Sequence, residues 1–487
     1  MSGAVDAGLF DAADLGLRAA LAGRPLVSVE RFASSGRTTY AGPSPVRAAR
    51  PELAIGCYRP WDAAAAARAV TAEDAHRVRG VEQRRTWMDG IDAAARAAVA
   101  GLGRPAVLAA WYATDQLRSW AGAGGQVAAI DARLRQVLEG KAHFGQVLER
   151  SGVPAALRLP AARVEGRLPG LRELRRLVGA ERLVVQCGAD SGGRGTVFVD
   201  IEDDLARAAC MRGPYRVTAF VVGWSSNITV LSVPGEDGTL RVYVDRPSHK
   251  AVGVVEAGIG PAKSAGNTWS IPWPEGAAAA VVDAAVRVAH WAWAEHRMRG
   301  LFGLDVLLTD DGPYFNELNC RNQGTTEVSA VNQQLRGVPP FLVAHLTTLL
   351  GGRIDWLPEP DDFNAATIQC ATSPDAGPYY LKLRHRGEHP VVLDDRLHGP
   401  GIYRPAGGSL RWVGSGAHPG DAGLGHVLLA NLPAPGVVCL PGAEFGTAEA
   451  VTTADGAPFE GPHTLSPTGR ALLAAFDQHL VPTDYPK

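Results

Sequence analysis

The sequence predicts a multidomain α/β (α+β) fold: an N-terminal open α/β domain over residues 1–130, a central domain over 131–352 and a C-terminal β-containing extension over 353–487. Three patterns predict it. In the first 130 residues short apolar runs alternate with helical stretches, the rhythm of an open α/β sheet. In the middle, one pair of strand-like runs flanks a glycine loop and another flanks an acidic turn. Beyond Gly351, turn signals crowd together around short β-like runs.

Composition supports a folded chain and excludes several functions. At 487 residues there is apolar material for more than one core. Apolar residues make up 46% and charged residues 20%, so wholesale disorder is not expected. Lys+Arg total 48 against 50 Asp+Glu, and a net charge of −2 gives no basic excess for nucleic acid or an anionic membrane. The 6 cysteines are scattered without a C-x-x-C pair, which suits reduced thiols in a cytoplasm. The first residues carry acids where a secretory signal carries bases, and no apolar run is long enough to span a bilayer. A cytoplasmic location is expected. Lysine is scarce (Lys141, Lys250, Lys263, Lys382 and Lys487), so a lysine inside a motif stands out.

The elements follow in order. A helix is expected over 9–22 and helices over 61–100, where alanine is dense. An apolar run over 105–111, a helix over 115–121 and a second run over 126–131 complete the first domain. Residues 131–151 read as one helix, ended by Gly152-Val-Pro154. Strands over 182–186 and 196–200 enclose the loop 189–195, and an acid-started helix covers 202–210. Strands over 216–222, 227–233 and 240–244 follow, the last two joined by a turn at Glu236-Asp-Gly238. A long helix over 275–299 leads into strands over 302–309 and 314–319, and Pro339-Pro340 opens another helix. A helix around 470–479 closes the chain.

Chemistry concentrates in Tyr314-Phe-Asn-Glu-Leu-Asn-Cys-Arg321. Side chains alternate along a strand, so Glu317, Asn319 and Arg321 share one face while Leu318 and Cys320 share the other. A carboxylate beside an amide oxygen is a hard-oxygen ligand pair for Mg2+. An arginine beyond them can neutralise phosphoryl oxygens. Hairpin pairing across Asp310-Asp-Gly312 brings Asp305 beside Glu317, which favours a metal–phosphate site over an incidental polar strand. The loop Ser191-Gly-Gly-Arg-Gly195 can aim backbone N–H groups at phosphate oxygens, although most glycine loops are plain turns. It is neither a P-loop nor a dinucleotide fingerprint.

Together these segments resemble the ATP-grasp superfamily over roughly residues 141–350. RLVVQCGADSGGRGTVFV is similar to that family's strand–flexible loop–strand, and GLFGLDVLLTDDGPYFNELNCRNQG to its metal hairpin. LEGKAHFGQVLERSGVP, VTAFVVGWSSNITV and NCRNQGTTEVSAV resemble actinobacterial ATP-grasp ligases of peptide natural-product biosynthesis. The resemblance implies an N-terminal pre-ATP-grasp domain, ATP and two Mg2+ ions. It casts Asp305, Glu317 and Asn319 as metal ligands and Arg321 as the catalytic, phosphate-contacting arginine. Gly192, Gly193, Arg194 and Gly195 become the loop over the phosphates. Thr218, Ala219, Phe220 and Val221 become the hinge along the adenine edge, and Lys141 the first nucleotide lysine. A solvated helix lysine is the plain alternative for Lys141.

Two positions depart from the family pattern. Gln186 stands where a second lysine is usual, which leaves Lys141, Arg194, Lys250 or Lys263 to supply the charge. Cys320 stands within N-C-R where N-P-R is common, and a buried structural thiol is expected there.

The implied reaction joins a small carboxylic acid or amino acid to an amine or peptide acceptor through an acyl phosphate. Asn322, Gln323, Thr325 and Thr326, just past the metal strand, are expected substrate contacts, with Asn227 beside Ser225 and Ser226 as further candidates. Trp224, Trp269 and Trp273 are candidates for an aromatic pocket, whereas Trp291 and Trp293 read as packing. A biotin-carboxylase-like carboxylation and a non-catalytic nucleotide-binding role are the competing readings, and a homodimer is open.

Overall fold

The computed structural model describes residues 7–34, 36–62, 68–80, 88–188, 193 and 195–485. The chain opens on the helix Ala7–Leu21 and a five-stranded parallel sheet. Its strands run Arg68–Thr71, Leu53–Tyr58, Leu26–Phe32, Val107–Ala110 and Gln126–Ala128 across the sheet. Helix was expected throughout 61–100. Arg68–Thr71 is instead the edge strand of this sheet, because pairing with Leu53–Tyr58 outweighs the helical preference of its alanine-rich surroundings. The central strand Leu26–Phe32 also lay in a stretch without a clear pattern.

A four-stranded antiparallel sheet comes next, ordered Ala161–Val164, Tyr215–Ala219, Leu183–Cys187 and Thr196–Val199. The largest sheet has 11 strands and begins with the hairpin Gly312–Asn319 and Gly300–Thr309. It continues through Trp224–Pro234, Ser248–Val252 and Ser264–Thr268, and then into the C-terminal residues. Gly377–Arg384 pairs with Ser264–Thr268, and Glu444–Thr452, Val427–Ala430, Gly401–Ala406 and Ser409–Gly414 complete the order. Strands of the C-terminal extension therefore join a sheet already begun, while Val391–Leu393, Val438–Cys439 and Leu480–Pro482 form another with Val78–Arg79. The composition change near 353 marks no break in the largest sheet.

The helix Glu275–His296 covers one face of this sheet. Val281, Ala284, Ala285, Val288, Ala289 and Ala292 recur at helical spacing and are all fully buried. Each such valine contributes roughly 1.5–3 kcal/mol relative to exposure. The single helix expected over 131–151 is three pieces: Ala132–Leu138, a 3-10 turn Lys141–His143, and Phe144–Arg150. Gly140 takes an extended conformation and breaks the ladder. The Lys141 amide then bonds Gly188 O at 3.1 Å, tying this turn to the four-stranded sheet. Among the described residues no helix is long and apolar enough to cross a membrane.

Buried imidazoles give the fold a pH limit. Burial pushes His249, His345 and His418 from 6.5 down to about 4. Nδ1 of His345 accepts from Leu301 N, and Nδ1 of His418 from Gly420 N. Between these values the unfolded chain binds more protons, so this stability is fully present above about 6.5 and is lost as pH falls toward about 4. The melting temperature is expected to drop across that window at fixed ionic strength. A flat profile would show that burial does not shift these rings between the folded and unfolded states.

Candidate active site

The hairpin Gly300–Thr309/Gly312–Asn319 sets the geometry. Leu304, Val306, Phe315, Leu318 and Cys320 fill the core beneath it, and burial raises the Cys320 thiol well above its ordinary value. Asp305 lies directly opposite Glu317, but Val306 lies opposite Phe315, so Asn316 is the extra residue of a β-bulge. That bulge frees the Asn316 carbonyl for a side chain from another sheet.

Three potential oxygen donors meet on the exposed side of the hairpin. Asp305 Oδ2 pairs with Lys250 Nζ at 2.7 Å, and Asp305 Oδ1 accepts from Asn227 Nδ2 at 2.8 Å. Glu317 Oε1 lies 3.4 Å from Lys141 Nζ. Asn319 Oδ1 accepts from the Arg321 guanidinium at 2.5 Å. Burial holds the Glu317 carboxyl above its ordinary range; Lys141 opposes this and Asp305 adds to it. All three are hard oxygens, each already facing a cation or an amide, so their chemistry fits Mg2+. Among the described residues no three His, Cys, Asp or Glu side chains are placed to hold a metal ion together, and the set here is two carboxylates and an amide.

Arg321 is 8% exposed and fixed from behind. Its Nε lies 3.3 Å from Glu139 Oε1, while Glu139 Oε2 holds Arg135 Nε at 2.6 Å. The Arg135 guanidinium rests over the Tyr112 ring at 4.0 Å, which carries the network to the first sheet.

The expected nucleotide contacts fall on the four-stranded sheet and its edges. Gln186 and Arg216 are cross-strand partners. Arg216 donates to Asn316 O at 2.6 Å, and burial lowers its pKa to about 10, with Glu317 opposing. Thr218 and Ala219 end the strand Tyr215–Ala219, where Ala219 N bonds Pro160 O and Phe220 N bonds Arg182 O. Those two amides are spent, and no acceptor for the Val221 amide is found among the described residues. Phe220 packs edge-on to Phe198 at 5.8 Å and beneath Arg182 at 4.2 Å. Gly193 and Gly195 have φ of 80° and 68°, and a Cβ on Gly195 would meet Cys187 O at 2.7 Å. Gly192 and Arg194 lie outside the described residues.

Beyond the metal strand, Asn322, Gln323, Thr325 and Thr326 are all buried. Thr325 Oγ1 donates to Asn227 Oδ1 at 2.9 Å, which links this segment to Asp305. Thr326 Oγ1 accepts from Gln323 N at 2.8 Å. Asn322 Oδ1 and Gln323 Oε1 are buried without partners. The Gln323 amide occupies the space a Cβ on Gly303 would fill, at 2.0 Å. Trp269 and Trp273 are buried in cores, and His249 lies between Trp273 and Trp224.

A second polar group borders the site. Glu30, near the carboxyl end of the strand Leu26–Phe32, accepts from Trp111 Nε1 at 2.9 Å. Burial and the charge of Glu327 hold Glu30 well above its ordinary pKa. Burial pushes Glu327 to about 7 against the pull of Arg37, with Glu449 and Asp62 adding to the shift. Arg37 itself is fully buried on Glu449 at 2.6 Å.

Sequence reasoning missed Arg216, Glu139 and Arg135. A lone arginine in the otherwise apolar Tyr-Arg-Val-Thr-Ala was a usable signal. For Glu139 there was none, because its value depends on where Arg321 returns.

No protein-family model matches the chain, and no curated protein matches it by sequence. Solved structures do. The fold is the ATP-grasp fold, shared with biotin carboxylases and an amino acid ligase. The biotin carboxylase domain of Hydrogenobacter thermophilus 2-oxoglutarate carboxylase, solved with MgADP, ADP and bicarbonate, superposes with a TM-score of 0.55 at 14% identity, covering 88% of this chain and 86% of its own. Biotin carboxylase from Campylobacter jejuni gives 0.51 at 14% identity, covering 90% and 85%. L-amino acid ligase from Bacillus licheniformis gives 0.50 at 14% identity, covering 95% and 99%.

Proposed function

We propose that this chain is an ATP-dependent carboxylate–amine ligase that forms a peptide or other amide bond, with peptide natural-product assembly as its setting. One observation carries the reading: Asp305, Glu317 and Asn319 converge, each within reach of Lys250, Lys141 or Arg321. Bound at those oxygens, two Mg2+ ions would neutralise the β- and γ-phosphates of ATP. Lys141, Arg135, Arg216, Lys250 and Arg321 against Asp305, Glu317 and Glu139 leave the site an excess of positive charge that suits a polyphosphate.

In the proposed reaction a carboxylate oxygen attacks the γ-phosphorus, the bond to the β-phosphate oxygen breaks and ADP leaves. An amine then attacks the acyl carbon and loses a proton, and phosphate departs with one of the original carboxylate oxygens. Arg321 would hold the transferring group, with Glu139 fixing its plane. Asn322, Gln323, Thr325 and Thr326 would present the acid.

The test begins with pairwise screening of amino acids for phosphate release. With an active pair and an 18O-labelled acid, one labelled oxygen is expected in phosphate. Label lost to AMP or water with none in phosphate would exclude the acyl phosphate, and bicarbonate-dependent turnover would favour carboxylation. In the same assay Lys141→Ala is expected to raise the apparent KM for ATP roughly 10-fold, the worth of one charge-assisted contact. Unaltered ATP dependence would reassign that lysine.

A further inference from the structure

Removing a guanidinium from water is costly unless an anion or a full set of acceptors replaces the lost hydration. Arg37 and Arg79, both fully buried, follow that rule by holding Glu449 and Glu73 at 2.6 Å. Arg216 does not. It is 3% exposed, and among the described residues no carboxylate lies within ion-pairing distance. Its partners are neutral and all on one nitrogen: Asn316 O at 2.6 Å, Asn316 Oδ1 at 3.3 Å and Gln186 Oε1 at 3.4 Å. Its Nε is buried without any acceptor. The guanidinium is braced by neutral neighbours, and the opposing charge of Glu317 acts on it only from beyond ion-pairing distance.

Its surroundings define what is missing. Arg216 reaches out of the four-stranded sheet to the bulge beside Glu317, the carboxylate that Lys141 approaches. Its guanidinium lies 5.3 Å from the Phe144 ring, in the helix that follows Lys141. Two buried cations from different elements thus flank one carboxylate. A planar fork of N–H donors beside an ammonium suits a tetrahedral oxyanion that accepts from both.

We infer that Arg216 binds an anionic ligand of this site, taking a phosphate group of the nucleotide between itself, Lys141 and the Gln186 amide. The assignment rests on the nucleotide reading above and extends it to a residue outside the metal hairpin. It also gives the Asn316 bulge a role: the freed carbonyl holds one nitrogen of the guanidinium and leaves Nε without an acceptor.

The experiment titrates the full chain with MgADP, adenosine and inorganic tripolyphosphate, beside melting curves. Arg216→Met is expected to weaken MgADP binding ~10–100-fold, the worth of a charged hydrogen bond, while adenosine affinity stays within a few-fold. The melting temperature of the free protein should hold or rise, because a buried charge without a direct ion pair has been removed. Since residues 186 and 216 face each other across the sheet, Gln186→Lys/Arg216→Met should recover most of the lost MgADP affinity. Unchanged MgADP affinity in Arg216→Met overturns the inference and leaves the nucleotide reading standing. Equal losses for adenosine and MgADP with a lowered melting temperature overturn it as well, since they describe a packing role. Tripolyphosphate binding that needs Arg216, without any response to MgADP, keeps the arginine's role and sinks the nucleotide reading. A wild-type chain that binds none of the probes sinks both.

Discussion

Glu317→Gln is expected to abolish turnover, with kcat falling on the order of 10^3-fold or more, while the protein melts where the wild type does. The substitution keeps the shape of the side chain and removes one negative charge from the point where Asp305, Lys141 and Arg321 exert their fields. Burial already disfavours the ionised carboxyl at this position, so an amide costs the fold little. The site would lose the charge that anchors a divalent cation between the hairpin and the phosphates. ADP and phosphate release with the screened acid and amine reads the first effect, and a melting curve reads the second. A variant turning over at the wild-type rate would remove Glu317 from the mechanism. A variant that melts well below wild type would make the activity loss uninformative, and Glu317→Asp, which restores the charge on a shorter stem, would then decide.

Arg321→Ala is expected to lower kcat ~10^2–10^3-fold and to move the KM for ATP much less. The guanidinium is buried and doubly restrained by Asn319 and Glu139, so it enters the reaction already oriented. Such a donor acts on charge that develops during transfer, which appears in kcat. Glu139 touches no reacting atom in this account and is a positioning residue. Glu139→Gln should reduce kcat roughly 10-fold in the wild-type background and cost nothing further in Arg321→Ala, because the two act as one unit. Additive losses would mean that Glu139 works through something other than Arg321.

The hairpin was legible because its signal is local. A period of two and one acidic turn suffice to place a hairpin that brings Asp305 beside Glu317, although the pairing Thr309–Gly312 continued unbroken would set Asp305 opposite Asn316, and it is the bulge that puts Glu317 there. The bulge at Asn316 was not legible. One extra residue leaves no mark in an alternating pattern, yet it aims the carbonyl that steadies Arg216. Lys141 stood out by rarity, while the break that lifts it off a helix depends on the contact of its amide with Gly188. The pairing of Ser264–Thr268 with Gly377–Arg384 joins segments more than 100 residues apart, and nothing in either predicts the other. Composition marked a change near 353, and hydrogen bonding carries one sheet across it. Glu30 and Glu327 come together only when the first sheet meets the helix Thr326–Leu335, so their mutual repulsion is a property of the tertiary structure alone.

Crystals of the full chain soaked with MnCl2 and ADP, with anomalous scattering recorded for manganese, test the hairpin most directly. Manganese is expected bound by carboxylate oxygens of Asp305 and Glu317, at roughly 2.1–2.2 Å as for a hard octahedral cation, with phosphate oxygens completing the shell and Lys141 and Lys250 displaced onto the nucleotide. Manganese and ADP seated elsewhere, with the Lys250–Asp305 and Lys141–Glu317 pairs intact, would contradict it.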